Sequence, residues 1–318
     1  MSERNILVVV HAHRDDTVAA AERIYRALTA AGARCVVSAD DLRDLREVAG
    51  NPVMLDDFRV LGEQVAVDDV ELAIVLGGDG TILRAAELVR GRAAPILGIN
   101  MGHVGFLAES ERDDMDEAVR RVIAGEYTVE ERLALSVRVK NRAGETIYET
   151  WALNEATVEK ASRERMLEVV IEIDGRPLSS FGCDGVVLST PTGSTAYNFS
   201  AGGPVIWPTV QAISVVPLSA HALFARPLVI DPSSSVAIEV LQRNHGTGVL
   251  WCDGRRSHDL PPGARVIVRR SAQPVRLARL HTALFTDRLV NKFQLPVDGW
   301  RGAEPTTSAI PTIKDAPA

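Results

Sequence analysis

The chain is short of several things, and each shortage narrows what it can be. It carries 3 cysteines in 318 residues, Cys35, Cys183 and Cys252. The count is odd and no two stand at metal-ligand or redox spacing, so a disulfide framework is not expected and a reducing cytosol is. No apolar run approaches the length of a membrane span. The first one, Ile6 to Val10, is too short for a secretion signal, and His11-Ala12-His13-Arg14-Asp15-Asp16 follows it without a small-residue cleavage site. The expected location is cytoplasmic. A basic excess is also missing: the net charge is −7, which speaks against non-specific nucleic-acid binding. Any phosphate would have to be held by local basic groups or by backbone N–H groups. There is no Gly-x-x-x-x-Gly-Lys-Ser/Thr segment and hence no Walker-type loop. Gly98, Gly102 and Gly105 miss the Gly-x-Gly-x-x-Gly spacing, which removes a dehydrogenase of that type.

What is present is an ordinary globular balance, 46% hydrophobic and 24% charged, in a chain long enough for two domains. The first 125 residues alternate strands and helices. Ile6–Val10 is a β-branched run suited to a strand buried on both faces. Asp15 or Asp16 caps a helix whose Val18, Ala21, Ile24, Tyr25 and Leu28 share a face, and Gly32 ends it. Strands follow at Cys35–Ser38, Ala73–Leu76 and Ile96–Asn100, and an amphipathic helix at Asp113–Ala124. This order predicts a parallel, doubly wound sheet. Beyond Gly125 the apolar period becomes two, at Val137, Val139, Leu167, Val169, Ile171 and Ile173, with Asp174-Gly175 as a hairpin turn. Further strand-like pieces lie at Val186–Ser189, Val236–Val240 and Val266–Val268. A β-rich second domain is expected over 126–275. A segment over 276–300, with a helix at Phe285–Phe293, returns to the first domain. A Pro- and Thr-rich tail over 301–318 is expected to be disordered.

The sharpest motif is Gly77-Gly78-Asp79-Gly80-Thr81, between the strand ending at Leu76 and a helix Ile82–Leu88. Glycines let a ligand approach the main chain, and N–H groups at a helix start attract phosphate. Gly77, Gly78, Gly80 and Thr81 are therefore the candidate phosphate loop. Asp79 is out of place beside a phosphate unless Mg²⁺ offsets it or it accepts a proton from an attacking hydroxyl. The plainer alternative is a surface turn in which Asp79 caps the helix. Gly98, Gly102 and Gly105 shape a second turn, Asn100 to Phe106, next to the first. The second motif, Ser189-Thr190-Pro191-Thr192-Gly193-Ser194-Thr195-Ala196-Tyr197, packs hydroxyls at a density that a plain turn does not need. Each can donate to phosphate or ribose oxygens. Tyr197 can lay its ring on a base.

Together with Asn154-Glu155, these motifs resemble the NAD kinase family, in the same order and spacing. Asp184-Gly185, Ser200-Ala201-Gly202-Gly203-Pro204 and Arg226-Pro227-Leu228-Val229 add to the likeness, which runs from about Ile6 to Phe293. The resemblance implies an α/β N-terminal doubly wound domain plus an all-β, sandwich-like C-terminal domain. It implies transfer of a phosphoryl group from ATP, or also from polyphosphate, to the 2′-hydroxyl of the NAD adenosine ribose. Asp79 would be the catalytic proton acceptor. NAD, as substrate, would lie against Asp79, Gly80, Arg84, Asn154, Glu155, Arg165, Asp184, Thr195, Ala196, Tyr197, Asn198, Phe199, Ser200 and Arg255. Mg²⁺ would arrive with ATP near Asp79, without a protein cage of its own, and the assembly would be a homodimer or homotetramer. His103 and His221 are read as structural. The competing readings are a lipid kinase of the diacylglycerol or sphingosine type, which shares the Gly-Gly-Asp-Gly turn, and a nucleotide-sensing module without chemistry. The Thr-Pro-Thr-Gly segment and the lack of a basic amphipathic face stand against the first.

Overall fold

The computed structural model describes residues 3–11, 15–49, 53–102, 105–162, 165–243, 246–281 and 284–297. The 301–318 tail and His103 lie outside them.

Five strands pair in parallel in the spatial order Arg59–Val60, Ala33–Val37, Arg4–Val10, Val70–Leu76, Ile96–Asn100. The inner ones are buried on both faces, as their unbroken apolar runs require. Helices Asp15–Ala30, Ala39–Ala49 and Asp79–Leu88 connect them, and Met115–Ala124 follows the last of them. Gly32 and Gly125 follow two of these helices with φ of 73° and 72°, the left-handed conformation that a helix stop favours. The strand order reverses between Arg4–Val10 and Val70–Leu76. Ligands of open α/β sheets bind at the carboxyl ends of strands beside such a reversal, and the glycine turn leaves the second strand there.

The sheet does not end at residue 125. Val275–Arg279 pairs in parallel with Ile96–Asn100, and Thr128–Arg132 pairs antiparallel with Val275–Arg279. Thr128–Arg132 reads TVEER and is largely solvent-facing. It has no apolar alternation to announce it, so the change of pattern near Gly125 precedes the last strand of the first sheet.

The second unit is a sandwich of two six-stranded antiparallel sheets. One runs 228–230, 213–218, 185–189, 155–160, 248–252, 256–260; the other runs 176–183, 167–173, 236–240, 265–270, 135–140, 146–152. Leu135, Val137 and Val139 point into the core between the sheets while Ser136 and Arg138 face out. Asp174 and Gly175 close the predicted hairpin with φ of 53° and 75°. Cys183 and Cys252 lie in this core and Cys35 in the first; all three are free, and burial pushes each thiol up to about 12. They are inert packing groups.

The units share apolar surface. Ala134 and Leu153, at the ends of sandwich strands, pack in one cluster with Leu7, Ile82, Leu83 and Leu277. The helix Phe285–Phe293 forms as expected and sets Phe285 and Phe293 against Phe106, with ring centroids 6.0 and 5.8 Å apart. Leu153 is fully buried at this seam. Leu153→Ala should therefore lower unfolding free energy by about 2–5 kcal/mol, measured by urea titration; a loss below about 1 kcal/mol would show the seam to be loosely packed.

Candidate active site

The glycine turn places Asp79 as the first residue of the helix Asp79–Leu88, half-buried between exposed Gly78 and Gly80. Its carboxylate does not cap that helix. It reaches across to the loop after Ile96–Asn100 and accepts the backbone N–H groups of Phe106 at 3.0 Å and Leu107 at 3.1 Å, one on each oxygen. This is why a glycine stands at 105: a Cβ there would come within 2.4 Å of the Asp79 Oδ1. At Gly77 a Cβ would meet the Thr81 hydroxyl at 2.4 Å, so Thr81 is packed under the turn and only 7% exposed. The two turns read separately from the sequence are thus one structure, joined by the Asp79 carboxylate. Each carboxylate oxygen retains a lone pair for a further donor.

Asn154 and Glu155 open the strand Glu155–Lys160 in the middle of one sandwich sheet, and both are buried. What fixes them is Asp253, which the sequence does not single out. Its buried carboxylate accepts the N–H groups of Leu153, Asn154 and Glu155 at 3.0, 2.7 and 3.3 Å and pairs with Arg256 at 2.7 Å. Asp253 has φ of 54°, a strained backbone held by those bonds. Burial first, then the neighbouring Asp253 charge, pushes the Glu155 carboxyl up to about 8, against a pull downward from the Tyr197 N–H. Burial raises Asp253 too. Asp253, with three N–H donors and a guanidinium, keeps the charge, and Glu155 holds the proton near neutrality. The Glu155 Oε2 is buried without a hydrogen-bond partner, an acceptor or donor still to be used.

The hydroxyl-rich segment divides into two kinds of group. Thr190 Oγ1 donates to the Leu153 carbonyl and accepts the Gly193 N–H at 3.1 Å. Ser194 Oγ donates to Pro191 O at 2.7 Å and accepts the Ile206 N–H at 2.9 Å. These two are fully buried and spent on the turn, so their capacity to donate to a phosphate or ribose oxygen is not available. Gly193 lies so close to Asn154 that a Cβ would stand 2.0 Å from its carbonyl oxygen. Past the turn the chain emerges: Thr195 and Ala196 are half-buried, and Tyr197, Phe199 and Ser200 are exposed. Asn198 points inward and donates to Pro204 O at 3.2 Å, leaving its Oδ1 buried and unpaired. Phe199 stacks on Phe293 of the C-terminal helix, with centroids 4.5 Å apart. Asp184 pairs with Lys160 beside the emerging run; hydrogen bonds from Lys160 and Ser219 hold its carboxyl below the usual range.

The arginines separate. Arg84 is tied within the first domain, donating to Val10 O at 2.6 Å and pairing with fully buried Asp41. Arg165 is exposed on the sandwich, two residues before the strand Leu167–Ile173. Arg255 bridges the units, its Nε and Nη2 reaching Glu87 at 3.1 and 3.2 Å. Glu87 lies on the helix that Asp79 opens, so one carboxylate links that helix to the Asp253 turn. The structure therefore brings Asn154, Glu155, Asp184 and Tyr197 together and binds the Asp79 turn to the loop 105–107. It engages Arg84 and Arg255 in ion pairs.

Two family models match the chain: the ATP-NAD kinase N-terminal domain over residues 6–127 and the ATP-NAD kinase C-terminal domain over residues 153–280. The chain belongs to the NAD kinase family. Among curated relatives, an NAD kinase of Leifsonia xyli is 65% identical over 95% of this chain and 98% of its own. An NAD kinase 2 of Streptomyces coelicolor is 56% identical over 94% and 97%. Among solved structures, yeast NADH kinase complexed with NADH superposes with a TM-score of 0.81 at 25% identity, covering 92% of this chain and 88% of that one. An NAD kinase from Archaeoglobus fulgidus in complex with ATP shares the fold, with a TM-score of 0.68 at 24% identity over 91% and 98%.

The candidate site has a partner set that its motifs do not show. Asp253, Glu109 and Phe106 carry no motif; the one local sign of Asp253 is the Asp253-Gly254 turn after a strand. The Glu155 proton yields a test. A carboxyl raised from near 4.5 to about 8 gives stability that is full below pH 4.5 and lost as pH rises through about 8. Glu155→Gln fixes the neutral form. Its Tm, relative to the parent, should rise by more than about 3 °C between pH 5 and pH 9, read by thermal melts across that range. A difference independent of pH would refute the buried proton.

Proposed function

We propose that the chain transfers the terminal phosphoryl group of ATP to the 2′-hydroxyl of the adenosine ribose of NAD, giving NADP and ADP, with Asp79 as proton acceptor. The new bond forms between the ribose oxygen and the γ-phosphorus, the bond from that phosphorus to the ADP oxygen breaks, and the hydroxyl proton passes to the carboxylate. Mg²⁺ enters as part of the donor substrate. The observation that carries the reading is the Asp79 carboxylate, fixed by two backbone N–H groups at the mouth of a glycine turn beside the strand-order reversal. A carboxylate with no freedom to swing, but with lone pairs left, is suited to orient a hydroxyl for attack. On the adenosine side, the Tyr197 N–H bonds to the Glu155 carboxyl, so the run Thr195–Ser200 emerges beside the buried Asn154-Glu155 pair, with exposed Tyr197 open to stack on the base.

The same site would accept a polyphosphate end in place of ATP, since glycine-turn amides recognise phosphate and not the base. A homodimer or homotetramer is supported by apolar side chains left open on the sandwich, among them Leu178 and Phe224 around one shallow cavity. Among the described residues no helix is long and apolar enough to cross a membrane, which fits a soluble cytoplasmic enzyme.

The direct test is NADP formation by purified protein from NAD with ATP or polyphosphate, with and without Mg²⁺. Asp79→Asn should reduce kcat by about two to four powers of ten while the fold and NAD binding persist; full activity in that variant would remove Asp79 from its role. Gly105→Ala probes the same carboxylate without touching it. Its backbone tolerates alanine, but the new methyl must displace the carboxylate. The expected result is a kcat loss of about tenfold or more with Tm nearly unchanged, and a wild-type kcat would show that the carboxylate position does not matter.

A further inference from the structure

We propose that Arg288, on the C-terminal helix Phe285–Phe293, is a positioning residue for Asp79 and acts through the peptide group between Phe106 and Leu107. The inference rests on the reading of Asp79 as proton acceptor. Arg288 Nη1 donates to the Phe106 carbonyl at 2.7 Å and to the Ala108 carbonyl at 2.8 Å. The N–H on the far side of the Phe106 carbonyl is that of Leu107, which donates to Asp79 Oδ1 at 3.1 Å. One peptide plane therefore stands between a cation and an anion, its oxygen toward the guanidinium and its hydrogen toward the carboxylate. Both ends are charge-assisted, and bonds in such a chain polarise one another.

The cation is itself held. Arg288 Nη2 lies 3.0 Å from Glu109 Oε2, and Arg279 Nη1 lies 2.9 Å from the same oxygen. The other oxygen of Glu109 accepts the N–H groups of Leu280 and His281 at 3.0 and 2.9 Å, and its side chain is 1% exposed. Arg279 also donates to the Leu107 carbonyl at 3.2 Å, and the Glu109 N–H donates to Gly98 O at 2.8 Å. The strip from Phe106 to Glu109 is thus bonded at every peptide group, by Asp79 in front and by two arginines behind. The planar fork of Arg288 serves two carbonyls and a carboxylate at once, which the single nitrogen of a lysine cannot do in this geometry. None of the groups that Arg288 itself touches is a position assigned to NAD or ATP. Arg288 acts on the geometry of Asp79 and touches no reacting atom.

A double-mutant cycle on the full chain separates this role from simple gluing of the helix. The enzymes are the parent, Arg288→Ala, Asp79→Asn and the double variant, with kcat and KM for NAD and ATP measured on each beside a thermal melt. Arg288→Ala should lower kcat about ten- to a hundredfold with KM for NAD changed less than about threefold. In the Asp79→Asn background the same substitution should change kcat less than about twofold, because the group it positions is gone. Arg288→Lys, which keeps the charge beside Glu109, should recover part of the loss; it replaces the alanine variant in the cycle should that one be insoluble. A parent-like kcat, or an equal loss in both backgrounds, overturns the proposal. A fully active Asp79→Asn enzyme instead overturns the reading of Asp79 on which it rests.

Discussion

Carboxylates that grip runs of backbone N–H groups are the constraint on which the rest of this structure depends. Asp79 takes the amides of Phe106 and Leu107, Glu109 those of Leu280 and His281, and Asp253 those of Leu153, Asn154 and Glu155. Each grip ties together segments far apart in the chain where no regular ladder can satisfy those donors. Burying a carboxylate is unfavourable unless it is fully bonded. The two deeper ones therefore also take guanidinium partners, Arg279 and Arg288 on Glu109 and Arg256 on Asp253. The loops so fixed are those that carry Asp79 and Glu155.

The seam between the two units follows the same logic. Glu87 lies at the far end of the helix that Asp79 begins and meets Arg255 and Arg256. Arg256 continues to Asp253, and its guanidinium covers the Trp151 ring at 4.5 Å while Arg90 covers it at 4.2 Å. Two cations on one indole offset part of their mutual repulsion through the ring quadrupole, although burial and the Arg256 charge still push Arg90 down to about 10. The helix that the glycine turn opens and the buried Asn-Glu pair are in this way joined by a short chain of charged groups beside the apolar cluster that holds Leu153, Ile82 and Leu83.

Much of this was readable from residues alone. Unbroken apolar strands, glycine helix stops and the Asp174-Gly175 hairpin are local physics, and they fold as local physics requires. The helix Phe285–Phe293 has the bounds that its pattern predicts. Thr128–Arg132 escaped because a charged edge strand looks like a loop, and its partner Val275–Arg279 because pairing across more than a hundred residues leaves no periodic trace. In the candidate site, Asp79 stood out because an acid among glycines is unusual after a strand, whereas Asn154-Glu155 came only from the family resemblance, since taken alone the pair reads as a β-edge Asn and a surface Glu. The residues that hold them were not legible, since an Asp253 or a Glu109 in isolation looks like any surface acid. The division of the threonine segment into buried and open hydroxyls likewise depends on which strand lies beneath it.

The Gly193 contact has a bearing on how the enzyme reaches its working form. Its main chain lies against the carbonyl of Asn154 with no room for even one methyl group, and the neighbouring Thr190 bonds to Leu153. Such an approach is possible only once the strands Glu155–Lys160 and Gly185–Ser189 are already zipped. The turn from Thr190 to Tyr197 then has no independent existence during folding. It comes into being in the same cooperative event as the sandwich, so a partly assembled chain would not hold this turn in its final shape.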